Sequence, residues 1–463
     1  MEAKGDEEDR TVLPPAIDLP PIEVYEKERE RAIRLCIVGS VDAGKSSWTG
    51  VIKTDKLDDG KGSAREHVAV HQHEIDYGRT SDISIQSIRI TDKTRIIVHD
   101  LCGHERYLKT TIRGLYGSYA EYAIGMIACN RGILPMTDQH LLLTMHSRIK
   151  LILFITKVDL ALKDEYNMYR TSMARYFGNK GFSLIALNNI QFDKEKKIDF
   201  ENSTSEEKTM RMIDKSSDDI HYKTKNVLIL HISSKTGYGI AASKHLLSQM
   251  RPQTCWDAKS IEGSIFHIDG VYCPPHVGLV VSGILQGNTV TVGDSLSIGP
   301  YNGKYVKIKI KSMHGDHKNL VDSLYDGEKG CFGITFINKK EKLSRHQLRK
   351  GMVVIKPDDL VRYTAKKFRA KIKVIAHKTT ISDGYAPVIH TQCVRQSAKI
   401  TLEPDKKLRA GDYGNVNFEF LFRPEFVNIG DIFSFRESTT HGVGKIIDIV
   451  PLGEDADEMI DRK

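Results

Sequence analysis

Gly39-Ser40-Val41-Asp42-Ala43-Gly44-Lys45-Ser46 reads G-x-x-x-x-G-K-S without a mismatch. Ordinary composition gives on the order of 0.02 such matches in a chain this long, so the octet carries information. An apolar run, Ile33 to Val38, precedes it, and residues compatible with a helix follow. The spacing predicts strand, glycine loop and helix. Glycines keep side chains out of the way, so backbone N–H groups from Asp42, Ala43, Gly44, Lys45, Ser46 and Ser47 can cradle phosphates. Lys45 would sit between the β- and γ-phosphates of a nucleotide, and the Ser46 hydroxyl would be a Mg²⁺ ligand.

Outward from the loop, apolar runs recur at residues 94–99, 122–128, 150–155 and 226–232, with helical spacing between them, as in Leu141, Leu142, Met145 and Ile149. Buried strands alternating with helices predict a doubly wound, mostly parallel sheet. Residues 178–225 break the pattern with dense charge of both signs, read as a surface insertion or a partner-docking element. From about Gly263 the texture changes to short alternating runs broken by Gly, Asn and Asp, the mark of antiparallel strands closing into a small barrel or sandwich. A second such block runs from about Phe368 to Pro451. The expected organisation is a flexible lead at 1–30, an α/β P-loop domain at 31–252 and two antiparallel β domains at 260–358 and 366–452. An acidic tail follows at 453–463.

Composition agrees with this reading. The chain has 463 residues, 40% hydrophobic and 28% charged, with a formal net charge of +8. At roughly 150 residues per domain that is about three domains, and collagen-like, disordered and disulfide-scaffold classes are excluded. No apolar stretch approaches the roughly 20 residues of a membrane span. The acidic start MEAKGDEEDR is unlike a secretory leader. Seven scattered cysteines form no C-x-x-C pair, which fits reduced thiols in the cytoplasm. The mild positive excess is compatible with an RNA partner and does not by itself identify one.

Three further stretches complete a nucleotide site. Asp100-Leu101-Cys102-Gly103-His104 follows the strand at 94–99 and matches D-x-x-G. Asp100 would hold Mg²⁺ through water, and the Gly103 N–H would report the γ-phosphate. Upstream, Thr80 in Tyr77-Gly78-Arg79-Thr80 is a second candidate Mg²⁺ ligand, with Ser81 and Ser84 as neighbouring hydroxyls. Thr156-Lys157-Val158-Asp159 places a carboxylate where it accepts from guanine N1 and N2 together, a pattern adenine does not offer. The usual motif has Asn where Thr156 stands, so the tie between this loop and the phosphate loop is expected to differ. Ser233-Ser234-Lys235 follows another apolar strand and fits a loop contacting guanine O6. Four elements in this order, each at a strand end, predict an enzyme that hydrolyses GTP to GDP and phosphate.

The D-x-x-G-H variant resembles that of translational GTPases, the elongation factor Tu superfamily. The likeness continues through Phe266 to Asp269, Val277 to Gly283, Gly384 to Pro387, Phe420 to Glu425 and Phe435 to Gly444. Gly103 to Thr111 and Gly78 to Ser81 resemble the GTP-binding protein 1 and 2 family, which shares T-K-x-D. The resemblance implies two β-barrels after the GTPase domain, and a His104 that positions the attacking water as catalytic residue. It implies Val41 as a hydrophobic gate, and for Asp42 either a role in holding a monovalent cation or that of a turn residue. Cys102 stands where the family usually has Pro or Ala; an exposed thiol there would be redox-sensitive, a small tolerated residue would not. His71 and His73 suggest switch-loop polarity rather than a metal site.

Two functions follow as expectations. One is a monomeric, ribosome-stimulated GTPase holding an aminoacyl-tRNA or other RNA in the GTP state. The other is a GTP-dependent switch or scaffold in RNA turnover or surveillance. A metabolic GTPase subunit is a third, disfavoured by the motifs.

Overall fold

The computed structural model describes residues 32–69, 83–92, 94–147, 149–221, 224–253, 262–315, 319–403, 407–437 and 440–452. The lead at 1–30 and the tail at 453–463 lie outside them. Among the described residues, nine strands belong to the first unit: β1 (Ile33–Val38), β2 (Ser84–Arg89), β3 (Arg95–Asp100), β4 (Tyr122–Ala128), β5 (Lys150–Thr156), β6 (Ser183–Ala186), β7 (Gln191–Phe192), β8 (Ile198–Asp199) and β9 (Asn226–His231). Seven form one sheet in the order β2-β3-β1-β4-β5-β9-β6, in which β2 alone is antiparallel.

The reason for this sheet is visible in β1, β4 and β5, which are buried at every position. Such strands need helices on both faces. Ile33, Leu35 and Ile37 point to one face, where Trp48 and Val51 of the helix Lys45–Thr54 and Leu246 and Leu247 of the helix Ile240–Gln249 cover them. Cys36 and Val38 point to the other, under Leu108, Ile112 and Leu115 of the helix Leu108–Gly117. Trp48 packs edge-on against Phe154 at 5.4 Å, and its indole N–H donates to Ser243 Oγ at 3.3 Å.

The charged stretch at 178–225 is part of this architecture. Its β6 pairs in parallel with β9 at the sheet edge. Its helix Glu206–Lys215 keeps Thr209 and Ile213 buried and leaves Glu207, Lys208, Arg211, Asp214 and Lys215 exposed. Ile213 and Ile220 join the main core.

Two β-barrels follow. The first runs from β10 (Ser264–Tyr272) and β11 (Val280–Gly287), past β12 (Val290–Thr291), through β13 (Ser295–Tyr301) and β14 (Lys304–Gly315), past β15 (Ser323–Leu324), to β16 (Lys329–Phe336) and β17 (Val353–Lys356). It closes in the order β10-β11-β16-β14-β13-β17, with β12 and β15 paired outside the wall. In β14, Val306, Ile308 and Ile310 face in while Lys307, Lys309 and Lys311 face out, the period-two alternation of a one-sided wall.

The second barrel comprises β18 (Thr364–Ala376), β19 (Val388–Thr391), β20 (Val394–Thr401), β21 (Tyr413–Phe420), β22 (Glu425–Phe426), β23 (Ile432–Glu437) and β24 (Thr440–Pro451). Pairing of β21 back onto β18 closes a six-strand ring, with β22 attached to β18. Phe368, Phe418, Phe420 and Phe433 fill its centre.

Polar contacts join the units. Arg34 in β1 pairs with Glu121 at 3.2 Å, both buried, and donates to the Gly327 carbonyl of the first barrel at 2.9 Å. Arg349 pairs with the buried Glu425 at 2.7 Å across the two barrels. Breaking one partner of such a pair costs about 3–5 kcal/mol because the other charge stays buried. No described helix is long and apolar enough to cross a membrane.

Candidate functional site

The loop after β1 turns on glycines for a steric reason. Gly44 has φ of 87°, open to few other residues, at the start of the helix Lys45–Thr54. Lys45 is buried, its ammonium donating to the Gly39 carbonyl at 3.2 Å and the Ser40 carbonyl at 2.8 Å. Burial pushes its pKa down from the ordinary lysine value, opposed first by the charge of Asp100. Ser46 Oγ donates to Asp100 Oδ2 at 2.6 Å, although the two are 54 residues apart. A hydroxyl and a carboxylate side by side form a hard-oxygen donor set that suits Mg²⁺.

Gly103 closes this side. A Cβ there would lie 2.6 Å from the Lys45 ammonium and 2.7 Å from Val41 N, so the D-x-x-G glycine is seated directly on the phosphate loop. His104, half-buried, caps the short helix Glu105–Tyr107, its Nδ1 accepting from the Arg106 N–H at 3.1 Å. Val41 lies with it in one cleft that also includes Asp42, Ala43 and Ser47. Asp42 has φ of 61° and faces Arg131 at 3.7 Å.

The other side is assembled from two strand ends. Thr156 Oγ1 donates to the Ala43 carbonyl at 2.7 Å, which supplies directly the tie between the T-K-x-D segment and the phosphate loop. Lys157, with φ of 57°, lines the cleft. Ser233 Oγ donates to Asp159 Oδ1 at 2.6 Å and so orients the carboxylate. Ser234 accepts from the Asp58 N–H at 3.0 Å, and the Lys235 stem lies against Gly60.

The structure therefore brings the sequence-predicted residues of β1, β3, β5 and β9 to one end of one sheet. Thr80, Ser81, His71 and His73 lie outside the described residues. Ser84 begins β2, and its hydroxyl donates to the Val68 carbonyl at 2.8 Å. Cys102 is fully buried, which removes the exposed thiol and leaves the small-residue reading. Among the described residues no group of three or more His, Cys, Asp or Glu side chains could hold a metal ion.

Sequence reading missed a third wall. Asp58, Gly60, Lys61, Gly62 and Arg65 line the cleft. Asp58 accepts from the N–H groups of Gly60 and Ala64, and Asp59 from those of Lys61, Gly62 and Ser63, which fixes the loop. The run Asp58-Asp59-Gly60-Lys61-Gly62 is a turn signal, yet a turn does not state what it faces. His140 was missed too. It is buried, and its Nδ1 accepts from the Gly39 N–H at 3.2 Å from 101 residues away.

Comparison with known proteins adds to this geometry. The sequence model of the elongation factor Tu GTP binding domain matches residues 30–275. GTP-binding protein 1 of Xenopus laevis is 31% identical over 440 residues, covering 89% of this chain and 63% of its own length. This chain thus spans less than two thirds of that relative. Elongation factor 1-alpha of Methanothermobacter thermautotrophicus is 26% identical over 439 residues, covering 92% of this chain and 94% of its own. Among solved structures, translation elongation factor SelB from Methanococcus maripaludis, in complex with the GTP analogue GppNHp, superposes with a TM-score of 0.61. The identity is 18%, with 92% of this chain and 81% of that chain covered, a likeness of fold.

Proposed function

The chain belongs to the elongation factor Tu GTP-binding domain family, and from that premise we propose that it binds GTP in this cleft and hydrolyses it as a translation-factor-like switch. The observation that carries the reading is the convergence of the Ser46–Asp100 pair and the Ser233–Asp159 pair, each at 2.6 Å, on one phosphate loop. One pair suits the metal–phosphate end of a nucleotide and the other its base.

In this reading Lys45 neutralises the β- and γ-phosphates, and backbone N–H groups from Asp42 to Ser47 hold the phosphate chain. Ser46 and, through water, Asp100 hold Mg²⁺, which when bound neutralises charge on the β- and γ-phosphates. Thr80 is the proposed second hydroxyl ligand of the triphosphate state. Thr156 and Lys157 shape the base loop. Asp159 reads guanine N1 and N2, and Ser233, Ser234 and Lys235 border the base. Asp42, paired with Arg131 at positive φ, acts as the turn residue, which leaves less for it to offer a monovalent cation.

His104 positions water. Because its Nδ1 accepts a backbone hydrogen bond, the neutral ring carries its proton on Nε2, which then offers a donor. A donor at that point orients a water and stabilises charge growing on the transferring phosphoryl group without removing a proton. Gly103, seated against Val41 and Lys45, links presence of the γ-phosphate to the segment that carries His104.

Downstream of this switch we propose a cytoplasmic monomer that binds aminoacyl-tRNA, or another RNA, in the GTP state and is stimulated by the ribosome. Protection of the aminoacyl ester from hydrolysis tests this. Protection with a non-hydrolysable GTP analogue and none with GDP is expected; equal failure with both would refute tRNA delivery. A second reading is a GTP-dependent switch or scaffold in RNA turnover or surveillance rather than tRNA delivery. Co-purification with exonuclease components would support it.

A further inference from the structure

The charged stretch between β6 and β9 is bound to the base-side loop by a continuous set of hydrogen bonds. Glu206, the first residue of the helix Glu206–Lys215, accepts from the N–H groups of Gly239 at 2.6 Å and Ala242 at 2.9 Å, at the start of the helix Ile240–Gln249. The residue before Gly239, Tyr238, accepts through its carbonyl from the Ser233 N–H at 2.9 Å. Ser233 in turn orients Asp159 at 2.6 Å. Three contacts therefore separate the Glu206 carboxylate from the Asp159 carboxylate.

Other ties run in parallel. The Tyr238 hydroxyl donates to the Thr204 carbonyl at 3.2 Å, and its ring packs on Phe200 at 5.3 Å. Buried Asn188 brackets His231, accepting from its N–H at 2.8 Å and donating to its carbonyl at 3.0 Å, two residues before Ser233. His245 meets Asp214 at 2.7 Å between the two helices. The loop itself has no slack. Gly239 has φ of 72°, and a Cβ there would strike the His231 carbonyl.

We infer that Glu206 is a positioning residue for guanine recognition, acting through Gly239, Tyr238 and Ser233 on Asp159, so that the charged stretch sets base selectivity. The inference rests on Asp159 as the base contact. The Glu206 carboxylate fits its place because ionised acceptors suit the N–H groups and positive end of a helix N-terminus. Loss of that anchor lets the Ser233 turn relax, and the carboxylate aimed by Ser233 loses its orientation.

The test compares GTP with ITP, which lacks the 2-amino group that Asp159 accepts from, on the full chain. Glu206→Ala should narrow the GTP-over-ITP affinity ratio about tenfold. Glu206→Gln, which keeps one acceptor and the side-chain size, should restore part of the ratio. Glu207→Gln, the same charge change at an exposed neighbour, should leave it unchanged. Equal weakening of GTP and ITP in Glu206→Ala would show a merely structural role and overturn the inference, as would an unchanged ratio. Asp159→Asn in the same assay separates the two levels: if it too leaves the ratio unchanged, the base reading itself has failed.

Discussion

The phosphate half and the base half of the cleft are built in opposite ways. The phosphate half is local: eight consecutive residues, Gly39 to Ser46, running from β1 into its helix place Lys45 and Ser46, and one distant strand end adds Asp100 and Gly103. The base half is made at long range. Thr156 reaches the phosphate loop across 113 residues, Asp159 meets Ser233 across 74, and Glu206 meets Gly239 across 33. A local device depends on backbone geometry, whereas a distributed one depends on how several segments pack, and substitutions separate the two.

Lys45→Ala should have the largest effect. Removing a buried ammonium from the phosphate half should weaken GTP and GDP alike by at least about 100-fold, read by fluorescent-nucleotide titration. Selective loss of one base over another would break the division of labour. Asp159→Asn should lower GTP affinity by about 100-fold and raise that for xanthosine triphosphate, whose 2-oxo group pairs with an amide donor. Unchanged preference would show that the base half does not read the base.

A buried neutral imidazole stands behind each half. Burial lowers His140, beside Gly39, to about 3, with Lys45 adding to the effect, and burial lowers His231, before Ser233, to about 4. Both titrate at 6.5 when unperturbed. Below pH 6.5 the unfolded chain takes up protons that the folded chain does not, so stability falls as pH drops from 6.5 toward 4. Each ring contributes about 1.4 kcal/mol per pH unit through that window. Buried His99, His221 and His267 act in the same direction. Denaturant unfolding from about pH 7.5 to 5 should show the loss, and a flat profile would contradict it.

The smallest effect sharpens the comparison at the joint between halves. Thr156→Val keeps size but leaves the Ala43 carbonyl without this donor, and should cost about 1 kcal/mol in unfolding free energy. No change in stability would mean that the halves are held together by other contacts.

Legibility in the sequence followed the same division. The phosphate loop, D-x-x-G and the strand runs were readable because each is a contiguous pattern with a local steric or hydrophobic cause. The two barrels were foreshadowed by alternation such as that in β14, and resemblance supplied the closure that alternation leaves open. The third wall at Asp58 to Arg65, the imidazole of His140 and the Glu206 anchor were not readable. Their partners lie far along the chain, and a carboxylate in a charged stretch looks the same whether it faces water or a helix N-terminus. Cys102 illustrates a related limit: its neighbour Gly103 lines the cleft, and only packing reveals that the thiol is buried.

The most direct measurement is GTP hydrolysis by the purified chain with and without ribosomes and charged tRNA, in parallel with His104→Ala. A large ribosome-dependent stimulation that falls by about 100-fold or more in His104→Ala, with GTP binding retained, is the expected result. Absence of stimulation with tight GTP binding would contradict the ribosomal role, and stimulation untouched in His104→Ala would contradict the catalytic one.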